Sequence, residues 1–85
     1  PTSPAALNEN AVSAISRKEY TKAVEMLEKS EITAKSAGLL TTLGVAYAGA
    51  GQYDKAEDAF RRAAETGSET ARHNLEEGRQ VIDQL

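Results

Sequence analysis

The chain has no cysteine, no tryptophan and a single histidine, and only three tyrosines and one phenylalanine among its 85 residues. Without cysteine there are no disulfides and no thiolate metal sites. The compartment stays open, because cysteine-free proteins occur in both cytoplasm and periplasm; a soluble protein of one or the other is expected. No apolar run approaches the roughly 18 residues of a membrane span, so no membrane insertion is expected, and no signal-peptide pattern precedes Pro1. Charge of one sign is lacking too. Ten Lys and Arg stand against thirteen Asp and Glu, a formal net charge of −3. No Lys/Arg stripe is visible, and nucleic acid is not an expected partner. Two prolines and few aromatics beside much Ala, Glu, Lys and Leu describe a soluble helical chain, neither disordered nor β-rich. The length predicts one domain with a modest core.

What is present is helical periodicity. Leu40, Leu43 and Tyr47 fall on one stripe, and after Gly49-Ala50-Gly51 a second stripe carries Tyr53, Ala56, Phe60 and Ala63. Two amphipathic helices joined by so short a turn lie antiparallel with their stripes face to face. Gly44 costs ~1 kcal/mol inside the first of them, which implies the close approach of a large ring from Tyr53 or Phe60. Upstream, Ser3-Pro4 reads as an N-cap and first turn. Leu7, Ala11, Ala14 and Ile15 then mark a helix, followed by Arg17-Lys18 at its C-terminal end. Tyr20, Ala23, Val24 and Leu27 begin another. Tyr20 and Tyr53, Ala23 and Ala56, Leu27 and Phe60, and Ala11 and Gly44 are each 33 residues apart, so the two hairpins repeat. Residues 31–36 read as a loop with Ile32 turned inward and Ser36 as the next N-cap. Asp54 near the start and Arg61-Arg62 near the end of the next helix suit its dipole, and Glu57–Arg61 and Asp58–Arg62 are candidate i,i+4 pairs. Gly67 reads as a left-handed stop and Ser68 as a fresh N-cap. Ala71, Leu75, Gly78, Ile82 and Leu85 then form a final stripe.

The order Leu43-Gly44, Tyr47, Gly51, Tyr53, Ala56, Phe60, Ala63 resembles one complete tetratricopeptide repeat. Leu40 stands where that family often has Trp, and Ser68 where it often has Pro. The resemblance implies an all-α fold of five helices, with antiparallel hairpins stacked as a short right-handed superhelix. Residues 1–3 would be a disordered tail, about 4–36 a degenerate first repeat, about 37–68 the second, and about 69–85 a capping helix, either a solvating end or the start of a further repeat.

The search for chemistry returns plainer readings. Gly49-Ala50-Gly51 follows a helix rather than a strand and no Gly-Lys follows, so it is a hairpin turn and not a phosphate loop. His73 with Glu69 and Glu77 lacks the second His or Cys that a metal site wants. The acidic pairs Glu57-Asp58 and Glu76-Glu77 diverge around their helices, and no base is placed to activate a hydroxyl. Tyr20, Tyr47, Tyr53 and Phe60 are expected to pack. No enzyme, cofactor or metal is expected.

In the family that the chain resembles, successive first helices line a concave groove that receives a partner peptide or helix of another protein. That implies a groove of Asn8, Val12 and Ile15, then Thr41, Val45 and Ala48, then Arg72, Leu75 and Arg79. Some members grip a C-terminal carboxylate with Lys, Asn and Arg. Asn8 and Arg79 would suit such a clamp, but Val12, Val45 and Leu75 stand where it needs polar or basic groups, so a clamp is not expected. The alternative is a structural module that stacks on itself or on further repeats of a longer chain, with a homodimer through the C-terminal helix. Repeat arrays usually need about three units to close a core, and two hairpins plus one helix fall short.

Overall fold

The computed structural model describes the backbone of residues 3–83 and the side chains of 3–70, 72, 73 and 76. Among the described residues four α-helices follow in order: α1 (Pro4–Ser16), α2 (Tyr20–Glu28), α3 (Ala37–Gly49) and α4 (Tyr53–Asp83), with a 3-10 turn at Thr33–Lys35 between α2 and α3. There is no strand among the described residues.

The caps explain the starts. Ser3 Oγ accepts from the Ala6 amide at 3.1 Å with Pro4 in the first turn, and Ser36 Oγ accepts from the Leu39 amide at 3.2 Å, each satisfying one otherwise orphaned donor. Ser3, expected in the tail, is thus a structured cap; Pro1 and Thr2 lie outside the described residues.

The two hairpin turns are copies of each other. After α1, Lys18 takes φ 62° and the Glu19 amide donates to Ala14 O at 2.8 Å. After α3, Gly51 takes φ 82° and the Gln52 amide donates to Tyr47 O at 2.8 Å. Both are left-handed helix stops in which the third residue beyond the helix bonds back across the last turn. Every participant in the second turn is 33 residues after its counterpart in the first, so the repeat of the sequence extends to the backbone. Lysine at the left-handed position costs ~1–2 kcal/mol relative to glycine.

The core centres on α3, which buries Leu39, Leu40, Leu43, Gly44, Ala46 and Tyr47. It packs along α4 and also against α2 and α1. One cluster joins Leu7, Ala11, Leu27, Leu39, Leu40, Leu43, Tyr47, Ala56, Ala59 and Ala63, with Val24, Met26, Ile32 and Ala48 against it. A smaller one joins Ala14, Ala23 and Ala46. Such alanines let helix backbones approach closely. Gly44 serves the same end, because a Cβ there would stand 2.5 Å from the Phe60 ring. Gly49 likewise lies directly under the Tyr20 ring.

Three expectations are corrected. The five-helix count is not met: α4 runs without a break through Gly67 and Ser68 for 31 residues, so among the described residues there is no separate capping helix. A lone glycine costs a helix only ~1 kcal/mol, no proline stands at residue 68, and good helix formers flank the site. The Thr70 hydroxyl donates to Thr66 O at 3.1 Å as it does inside a helix. Second, Tyr53 and Phe60 are 69% and 41% exposed rather than core residues; on α4 the stripe facing α3 is Ala56, Ala59 and Ala63. Third, Arg61 pairs with Asp58 and, at 2.9 Å, with Glu65, not with Glu57.

Candidate partner-binding surface

The groove residues of α1 and α3 divide by helical angle. Val12 and Val45 stand clear of the core and are 45% and 44% exposed. Thr41 is exposed, with its hydroxyl donating to Ala37 O at 2.8 Å. Asn8 is half-buried, and the Thr42 hydroxyl lies 2.6 Å from its Oδ1. That hydroxyl also lies 3.1 Å from Gly38 O. A polar bridge therefore joins α1 to α3 about one helical turn N-terminal of Val12 and Val45. Ile15 and Ala48 are half-buried and packed against the core clusters, which leaves less of them for a partner.

The third row is placed differently. Gly67 comes beside Ala37, the first residue of α3, at 3.7 Å from a built Cβ. Since α4 runs antiparallel to α3, Arg72 lies beyond the N-terminus of α3. At 1.5 Å per residue Arg72 and Val45 are about 20 Å apart along the helix axes. Arg72 is exposed there; the Leu75 and Arg79 side chains lie outside the described residues. The structure thus groups Asn8, Val12, Thr41 and Val45 and sets Arg72 apart.

Thr42, which the stripe pattern does not single out, joins this surface through its hydroxyl contact with Asn8 Oδ1. On the opposite side, Tyr47 threads between α2 and α4. Its phenol donates to Glu28 Oε1, and Lys55 Nζ stands 5.8 Å from its ring centroid. Burial first, and then the bond and the charge of Glu28, push the phenol up to about 12, because both disfavour phenolate. Lys55, Asp58 and Arg62 line a cleft of about 350 Å³ with Tyr47. This is a bond that joins α2 to α3.

Among the described residues no group of three His, Cys, Asp or Glu side chains could hold a metal ion, and no helix there is long and apolar enough to cross a membrane. Compared with known families, residues 37–66 match the model described as tetratricopeptide repeat. This segment is a tetratricopeptide repeat. It comprises α3 and the first half of α4, and the match stops where α4 passes Ala37 and leaves the hairpin. No curated protein and no solved structure matches the chain. A repeat of this kind suggests a protein–protein interaction module.

Proposed function

We propose that the surface formed by Asn8, Val12, Thr41 and Val45 receives a peptide or helix of another protein. The observation that carries this is the pair of half-exposed valines on adjacent first helices, with the Asn8–Thr42 bridge one turn away along the same two helices. Apolar side chains beside a polar bridge suit an amphipathic partner, whose apolar face covers the valines while its backbone or polar groups reach Asn8. Ile15 and Ala48 form the margin of that surface. Arg72, with Leu75 and Arg79 further along α4, would meet only a partner long enough to run past the N-terminus of α3. The repeat boundaries about 4–36 and 37–68 remain the frame of this proposal, with 69–83 as a continuation of α4.

Selection of binders from a displayed random-peptide library tests it. Selected peptides should bind the parent chain and lose at least tenfold in affinity against Val12→Glu and Val45→Glu. The helical circular dichroism of both variants should be unchanged, since neither side chain is core. Binders indifferent to both substitutions would overturn the groove.

A second reading, self-association through the C-terminal helix, is favoured by one observation: Tyr53 and Phe60 lie exposed on α4.

A further inference from the structure

Beside the alanines that face α3, α4 carries an adjoining strip. Tyr53, Glu57, Phe60 and Ala64 are exposed along it, and at the same helical spacing it reaches Gly67, Ala71, Leu75, Gly78 and Ile82 in the sequence. The first repeat shows what such a strip is for. Tyr20 and Leu27, 33 residues before Tyr53 and Phe60, are covered by the following helix: the Tyr20 ring lies over Gly49 and Leu27 is fully buried. The occupant of the strip on α4 is therefore a helix. In the unbroken α4, residues 69–83 cannot supply it to their own chain, because they run on along the same axis.

The strip is complementary to itself when reversed. Resting on the self-association reading, we propose that two copies pair antiparallel through α4, with the two-fold axis between Gly67 and Ser68. That axis sets Phe60 opposite the position of Leu75 in the second copy, Tyr53 opposite that of Ile82, and Ala64 opposite that of Ala71. Aromatic thus meets aliphatic, and small residues meet at the crossing, where the backbones approach most closely. Charge agrees. Along the border the axis brings Glu65 within a turn of Arg72 and Glu57 within a turn of the Arg79 position, opposite signs in both cases. Parallel pairing would set Glu57 against Glu57 and Arg72 against Arg72, which antiparallel pairing avoids. The α1–α3 body of each copy lies along the N-terminal half of its own α4, so the two bodies occupy opposite ends of the pair and leave both valine grooves open.

Because the chain has no cysteine, introduced cysteines test this directly. Ala64→Cys and Ala71→Cys are made separately, mixed, and oxidised with copper phenanthroline. The mixture should yield several-fold more disulfide-linked dimer than either variant alone. Light scattering over a hundredfold concentration range should show the mass rising from 9.1 kDa to twice that value. Ala64→Glu, at an exposed position, should hold the chain at the monomer mass with unchanged helicity. A dimer that cross-links best as Ala64→Cys alone would overturn the antiparallel register while leaving self-association intact. Monomer mass at every concentration would overturn both.

Discussion

At the scale of single residues, Tyr47 and Gly44 are the two most exacting positions. A phenol bonded to a carboxylate contributes ~1.5–3 kcal/mol, so Tyr47→Phe should destabilise by about that amount in urea titrations at pH 8. The pH dependence has a definite sign. The folded phenol is raised from 10.0 to about 12, so the fold favours its protonated form. That contribution is complete below pH 10 and is lost as pH rises through 12. The stability difference between parent and Tyr47→Phe should therefore shrink between pH 10 and 12, and a constant difference would exclude the bond to Glu28. At Gly44 the obstacle is the Phe60 ring, 2.5 Å from a built Cβ. Gly44→Leu should cost ~1–3 kcal/mol by overpacking. Because Phe60 is 41% exposed and can be displaced outward, the cost should fall when Phe60→Ala is present; thermal melts of the four variants in a cycle measure that coupling. The need for a ring at Gly44 was legible from one glycine inside a helical stripe. That the ring would remain partly exposed was not, because exposure depends on whether another helix follows.

At the scale of elements, the turns and caps were better legible than the last helix. Ser3 and Ser36 signal their helices through side-chain acceptors three residues ahead of an amide, which is local chemistry. The turn at Gly51 is equally local. Lys18 in the left-handed region was not legible, because lysine carries no preference for it; only the 33-residue offset from Gly51 could have shown it. Gly67 misled for the reverse reason. Glycine permits a left-handed stop without requiring one, and the bonding of Thr70 to Thr66 O shows the helix continuing through it. Gly67→Ala decides the point. A built Cβ meets only Ala37 Cβ at 3.7 Å, an ordinary contact, so the substitution should stabilise by ~0.5–1 kcal/mol. For a domain of this size that raises Tm by roughly 2–8 °C. A fall in Tm would mean that residue 67 needs a positive φ.

At the scale of the molecule, the two outward surfaces answer to different helices. The valine groove belongs to α1 and α3, and the aromatic strip belongs to α4. They involve different side chains, so substitutions can separate binding at one from pairing at the other. Val45→Glu should weaken the selected peptides while leaving the molar mass of the chain as the parent's, and Ala64→Glu should do the opposite. Equal loss of both properties in either variant would mean that the surfaces are one. The elongation of the chain, 51 × 29 × 19 Å, comes from α4, whose 31 residues span about 46 Å at 1.5 Å each.

The sequence by itself determined the helical class, the two hairpins, their 33-residue repeat and the caps at Ser3 and Ser36, because periodicity, capping hydroxyls and short turns act within a few residues of one another. Of the side chains of α1 and α3 that the pattern sets one step outside the core, Val12, Thr41 and Val45 are exposed, whereas Ile15 and Ala48 pack against it. Only the tertiary structure decided that Tyr53 and Phe60 stay at the surface and that Arg72 is carried away from Val45. It also decided that Asn8 and Thr42 meet across the groove. Those outcomes depend on where a helix ends relative to its neighbour. With only a glycine and a serine at residues 67 and 68 to mark that end, the cost of continuing α4 was too small for local signals to prevent it.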